Sequence, residues 1–139
     1  MPIPGLRSPA DRVGPLVYFG RMIDKIRLHH AGQLPADYHA NLGEGFDKSC
    51  VSLLGISYPD LVTRVKAGGS DEEIFQWCRS KGRPLTEQDI YVWNEFMRKR
   101  GWNDEVSARL VQRKGEAGFP QRDDIQTFFD FIDADEGRK

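Results

Sequence analysis

Residues 70–77 read SDEEIFQW and residues 86–93 read TEQDIYVW. In each, a hydroxyl residue is followed three positions later by a carboxylate, then by Ile and, three further on, Trp. A Ser or Thr hydroxyl at that place accepts from the amide of the third helical residue, and the carboxylate reaches back to the cap amide. The two copies start sixteen residues apart and are separated by Lys81-Gly82-Arg83-Pro84, a helix break. This pattern predicts an αα-hairpin with matched tryptophans, and it leaves that part of the chain little else to fold into.

Similar punctuation runs along the rest of the chain. Leu16, Phe19, Ile23, Ile26 and His30 recur at steps of three and four, which predicts a helix over 16–31 stopped by Gly32. Pro35 opens a short helix at 36–42. Phe46, Cys50, Leu53 and Leu54 form another stripe, and Ser57-Tyr58-Pro59 opens the next. Arg100-Gly101-Trp102 has the order expected of a glycine-terminated Schellman end, after which Asn103 is placed as a cap. Asp123 is placed as the cap of a last helix, DIQTFFDFIDADEG, with Ile125, Phe128, Phe129 and Ile132 on one face. No segment alternates like a strand between hairpin turns. The expectation is an all-α fold: one compact domain over 1–139, with seven to eight short helices and an irregular segment at 1–15.

A chain of 139 residues has length for one core without a metal or disulfide staple. Its 20 basic and 21 acidic residues give a net charge of −1, so no long-range field draws it to nucleic acid or an anionic membrane. Two cysteines, Cys50 and Cys78, make no disulfide framework. The start, MPIPGLRSPADR, has no apolar run of the kind a secretory signal needs. A cytoplasmic protein with reduced thiols is expected.

The strings GLRSP, VYFGRMIDKIRLH, GGSDEEIFQWC, VWNEFMRKRGW and RDDIQTFFDFIDADEG, in that order, resemble a bacterial family catalogued as domain of unknown function 5069. The resemblance spans nearly the whole chain. It implies a bacterial, single-domain, cytoplasmic protein and transfers no mechanism.

The residues themselves offer several chemistries to weigh. Most cations fall in last turns of helices, where they complement the negative end of the helix dipole. Arg27 and Arg100 instead lie beside apolar stripes, where a half-buried guanidinium wants a carboxylate or an anionic ligand. Asp130, Asp133, Asp135 and Glu136 crowd the second half of the last predicted helix, against its dipole. Solvation, pairing with arginines such as Arg27 or Arg100, and cation binding compete to explain them. Arginine pairing is favoured, because DADEG departs from the EF-hand loop in its glycine position and lacks a twelfth-position ligand. His29 and His30 diverge by about 100° on a helix, and neither cysteine sits in a CxxC pair, so no zinc site is expected. The glycines make no phosphate loop.

Residues 37–50, DYHANLGEGFDKSC, collect reactive side chains. With 36–42 helical, Asp37 and Asn41 share a face while His39 points away, and Cys50 joins an apolar stripe. The segment reads as a joint between helices in which Tyr38 and His39 keep a claim to ligand contact. The expected function is a non-catalytic helical module that binds a small anionic ligand or a protein partner, with neither cofactor nor metal. Arg27, Tyr38, His39, Arg100, Asp130 and Asp133 are its candidate ligand-binding residues. A small enzyme centred on His39, with Tyr38, Asn41 or Cys50, is the alternative. A structural subunit of a homo-oligomer is another.

Overall fold

The computed structural model describes residues 2–139 and is predominantly helical. Two short strands, β1 (Arg12–Val13) and β2 (Leu16–Val17), precede α1 (Phe19–His30). A 3₁₀ helix spans Ala36–Asn41, and six further helices follow: α2 (Phe46–Leu54), α3 (Tyr58–Lys66), α4 (Asp71–Lys81), α5 (Glu87–Lys99), α6 (Ser107–Glu116) and α7 (Phe128–Asp135). No helix among the described residues is long and apolar enough to cross a membrane.

The two expected helices are present as α4 and α5, and both capping boxes are formed in both directions, but α4 packs chiefly on α3 and β1 and α5 on α7 and β2, rather than on each other. The tryptophans are not equivalent. Trp93 is buried and donates its indole N–H to the Val17 carbonyl at 3.1 Å, whereas Trp77 is half-buried at the edge of the core. Gly82 in the connection approaches the α2 backbone so closely that a Cβ there would collide with the Leu54 carbonyl oxygen. The adjacent amide of Arg83 bonds that same oxygen, which ties the α4–α5 connection to the end of α2.

The helix expected over 16–31 is shorter at its start. Leu16 and Val17 pair antiparallel with Val13 and Arg12 across a two-residue Gly14-Pro15 turn, and Gly14 takes the positive φ of 55° that such a turn favours. Four residues cannot show the alternation that announces a strand, so a ladder this short is invisible to periodicity. Asn94, on α5, holds β2 by accepting from the Val17 amide and donating to the Pro15 carbonyl. Tyr18 joins β2 to α1 with φ 73°, a strained value for a residue with a Cβ.

Helix α1 is the axis of the molecule. Nine of its twelve residues are buried. Phe19, Met22, Ile23 and Ile26 face the main core, made with Leu54, Leu61, Phe75 and Met97 among others. His30, assigned to that stripe by periodicity, is exposed. The opposite stripe, Arg21, Asp24, Lys25 and Leu28, is also buried, so α1 inters charge as well as hydrocarbon. The helix ends as expected, with Gly32 at φ 71° and the Gln33 amide bonded back to the Leu28 carbonyl.

Two later boundaries differ from the sequence expectation. At the end of α5 no Schellman motif forms. Arg100 is extended, and its carbonyl accepts from the Phe128 amide at 2.9 Å, so a tertiary bond replaces the local one. Asn103 does not cap α6. Asp104 organises that turn instead, accepting from the amides of Gly101 and Val106. The last helix begins at Phe128, not Asp123. Thr127 is its cap, accepting from the Asp130 amide, and residues 123–126 are irregular. Asp130 is therefore a first-turn acid, favourably placed in the dipole rather than opposed to it.

Candidate functional site

A cavity of about 570 Å³ opens between α1, the 3₁₀ helix, the start of α2 and the α5–α6–α7 corner. That volume lies within the range typical of small-molecule sites. Aromatic rings of Phe46, Phe96, Phe128 and Phe131 supply its apolar walls. Phe46 meets Tyr18, Phe128 and Phe129 edge-on, with centroids 5.6–6.3 Å apart. Phe96 is 45% exposed, less than Tyr91 and Val92 on the same helix. It carries the guanidinium of Arg100 over its face at 5.2 Å.

Two buried charge clusters face this cavity from α1. In the first, Glu136 accepts both guanidinium nitrogens of Arg21 at 2.8 and 2.7 Å. It also accepts the Tyr38 hydroxyl and Arg138, each at 2.8 Å. Burial pushes the Glu136 carboxyl up, but Arg21, Tyr38 and Arg138 together outweigh it, and the net shift is below the usual carboxylate value. Burial likewise opposes the charge on Arg21, and Glu136 more than restores it. Tyr38 is held neutral by burial and by the carboxylate it donates to. Glu136 sits at the C-cap of α7, where the dipole disfavours an anion, so its two arginines also neutralise that helix end.

In the second cluster, Asp47 at the start of α2 is completely buried. It accepts the Tyr18 hydroxyl at 2.6 Å, the Lys25 ammonium at 2.9 Å and the Gly43 amide at 3.0 Å. Lys25 also donates to the Tyr18 hydroxyl at 3.1 Å. Burial dominates the Lys25 amine and lowers its pKa despite the Asp47 charge. Burial and the neighbouring carboxylate raise Tyr18 well above the ordinary phenol value. Tyr18 and Lys25 line the cavity, and Asp47 lies behind them.

The outer wall is different in kind. Arg100, Arg109 and Arg113 come from the end of α5 and from α6. Arg100 reaches Asp104 only at 3.4 Å, and Arg113 reaches Glu116 only at 3.9 Å. Arg109 is exposed and has no ion-pair partner among the described residues. The cavity acids other than Glu136 come from other elements: Asp37 and Glu44 from the 3₁₀ segment and the loop after it, Asp135 from α7.

Of the residues expected to contact a ligand, Tyr38 and Arg100 line this cavity. The others lie elsewhere. Arg27 bonds Asp71 at 2.7 Å, in a cluster where Arg7 bridges Asp24 and Asp71 and so links the N-terminal segment, α1 and α4. His39 shares a hydrogen bond with the Leu34 carbonyl at 2.9 Å, and its ring stands edge-on to His29. Asp130 takes Lys139 at 3.1 Å, and Asp133 takes Ser8 and Arg138 at 3.0 Å each. Basic pairing thus accounts for Asp130, Asp133 and Glu136, with Arg21, Arg138 and Lys139 as partners in place of Arg27 and Arg100. Cys50 is fully buried in the main core, and burial pushes its thiol far above the ordinary value, which unfits it as a nucleophile.

Sequence reasoning missed Tyr18, Arg21, Lys25 and Asp47. One signal was present. Arg21, Asp24, Lys25 and Leu28 repeat the three-and-four spacing of a second face, and Leu28 on a face otherwise polar marks it as covered.

A search of curated proteins finds no match to the chain. A family model described as Domain of unknown function (DUF5069) matches residues 3–138. Essentially the whole fold, both charge clusters included, lies within that match, and the chain belongs to the DUF5069 family.

Proposed function

We propose that the protein binds a small molecule in the cavity, with an anionic group of the ligand directed at the α5–α6 wall. The observation that carries this reading is the state of the wall arginines. Arg21 is fully neutralised by Glu136, whereas Arg100 and Arg113 have only long contacts and Arg109 has no ion-pair partner among the described residues. Guanidinium groups presented beside aromatic rings suit a carboxylate or phosphate attached to a flat or apolar body. A cytoplasmic setting accords with two buried unpaired thiols.

Thermal denaturation with inorganic phosphate, small dicarboxylates and nucleotides tests the reading. A ligand at one hundred times its dissociation constant stabilises the fold by about 2.7 kcal/mol. Arg109→Ala should abolish the shift while leaving the unliganded protein within about 0.5 kcal/mol of the parent, as expected of an unpaired surface residue. Absence of a shift with every anion, or an undiminished shift in Arg109→Ala, would refute it.

A further inference from the structure

We propose that Lys25 is a carbonyl-reactive amine, assisted by Tyr18 and Asp47, and that the ligand class includes carbonyl compounds carrying a carboxylate, such as 2-oxo acids. This deepens the reading of the cavity as an anion-binding site and rests on it. Three independent features of the geometry converge. Lys25 is buried yet lines the cavity. Tyr18, which also lines the cavity, is held at a strained φ of 73° and has its hydroxyl 3.1 Å from the amine. Asp47 stands behind both, within 2.6 Å of the hydroxyl and 2.9 Å of the amine.

Strain in a residue with a Cβ persists only where its surroundings over-determine it, and such residues gather at functional sites. A purely structural ion pair needs neither the phenol in contact with both partners nor a cavity in front of it. A desolvated lysine is the usual source of a nucleophilic amine at neutral pH, and burial here favours its neutral form.

The step balances with the groups present. The ammonium of Lys25 gives one proton to Asp47, and the freed lone pair forms an N–C bond to the ligand carbonyl carbon. The C=O π pair moves to oxygen, which takes the Tyr18 proton and becomes the carbinolamine hydroxyl. Asp47 returns its proton to the Tyr18 oxygen. The carbinolamine nitrogen loses a second proton to the departing hydroxyl by way of Tyr18, the C–O bond breaks, and water leaves. The product is a protonated imine. No oxidant or reductant takes part, and the hydrogens lost from the ammonium leave in the water.

Sodium cyanoborohydride converts such an imine to a stable secondary amine. The intact protein is incubated with pyruvate or 2-oxoglutarate and the reductant, digested, and its labelled peptide mapped by mass. The other six lysines of the chain serve as internal controls. Labelling of Lys25 should exceed that of any of them by roughly tenfold or more, as befits a desolvated amine. Tyr18→Phe should slow the labelling while anion-induced thermal shifts persist. Labelling spread evenly over the lysines, or none on Lys25, overturns the proposal. If anions still shift the melting temperature in that case, the binding site stands and only the amine chemistry falls. If they do not, both fall. The result is read on the parent protein, so it does not depend on a Lys25 variant folding.

Discussion

Glu136→Gln removes one negative charge and keeps the shape of the side chain. The carboxylate accepts four hydrogen bonds, two from Arg21 and one each from Tyr38 and Arg138. An amide offers one oxygen and turns an NH₂ toward donors. At least one guanidinium contact and either Tyr38 or Arg138 then lose their acceptor, and Arg21, 5% exposed, keeps an uncompensated charge. Breaking a buried pair from one side costs about 3–5 kcal/mol. Arg138 is exposed enough to be resolvated, so the lower figure applies, about 3 kcal/mol. For 139 residues, unfolding entropy near 2.1 cal/mol/K per residue converts that loss to a melting decrease of about 10 °C. The pH dependence has a defined sign. Glu136 lies below its ordinary value of 4.5 in the fold, so its stabilisation is complete above pH 4.5 and is lost as pH falls through the lower folded value. Urea unfolding of parent and variant should therefore differ fully at pH 7 and converge in strong acid. A loss under about 1 kcal/mol at pH 7, the size of an ordinary substitution, would refute the argument. So would a gap that does not narrow on acidification.

Two further outcomes follow from other parts of the molecule. Thr127→Ala should cost about 1 kcal/mol through loss of the α7 cap, while Asp123→Ala should change stability by less than about 0.5 kcal/mol; chemical denaturation of both variants checks where the last helix begins, and the reverse order would restore the earlier start. In alkali, Tyr18, Tyr38 and Tyr58 stay protonated in the fold because burial raises all three above the ordinary value of 10.0. Their contribution to stability is intact below pH 10 and is lost as pH climbs beyond it. Tyrosinate absorbance for these three should rise only with loss of the helical circular dichroism signal, and ionisation near pH 10 in an intact fold would contradict their burial.

Which parts of this molecule were legible in its sequence follows from the range of the interactions. Both capping boxes, the Gly32 stop and the apolar stripes were readable because each depends on residues within about one or two turns of helix. The start of α7 was misread because Asp123 and Thr127 are both competent caps. The tertiary bond from Phe128 to the Arg100 carbonyl fixes the chain direction where the Thr127 cap takes over. The same bond explains why Gly101 does not close a Schellman motif. For the site, Tyr38 and Arg100 were found from local anomalies. Arg21, Lys25 and Asp47 were not, because their partners lie 22–115 positions away in the chain and a charged residue on a helix normally faces water.

The buried charges of α1 also bear on why the cavity exists. Exchanging a buried ion pair for apolar residues of similar volume is often neutral or stabilising by 1–4 kcal/mol, of order. Stability alone therefore gives no reason to inter Arg21, Lys25, Asp47 and Glu136 in a domain that also holds an ordinary hydrocarbon core. The Arg7–Asp24–Asp71 cluster has a plain structural task, since it fastens the N-terminal segment to α1 and α4, and it does so at the half-exposed surface. The other two clusters are more deeply buried, and Tyr18, Arg21, Lys25, Tyr38 and Glu136 among their members line a cavity. Each also uses a tyrosine hydroxyl to satisfy the carboxylate, Tyr38 on Glu136 and Tyr18 on Asp47. A phenol can donate to a carboxylate and still accept from a ligand, which an apolar replacement cannot do. The arrangement thus gives up some packing energy to hold polar groups fixed and nearly dry at a cavity wall. Fixed, desolvated groups gain most of their value when charge is brought to them from outside. A charge-neutral double variant, Arg21→Met with Glu136→Leu, separates the two roles. It should fold with stability equal to or above that of the parent, with Tyr38 losing its partner and Arg138 keeping Asp133 as its own. If it instead unfolds as readily as Glu136→Gln alone, the pair is there for the fold. If it folds and the anion-induced shift is lost, the pair is there for the cavity.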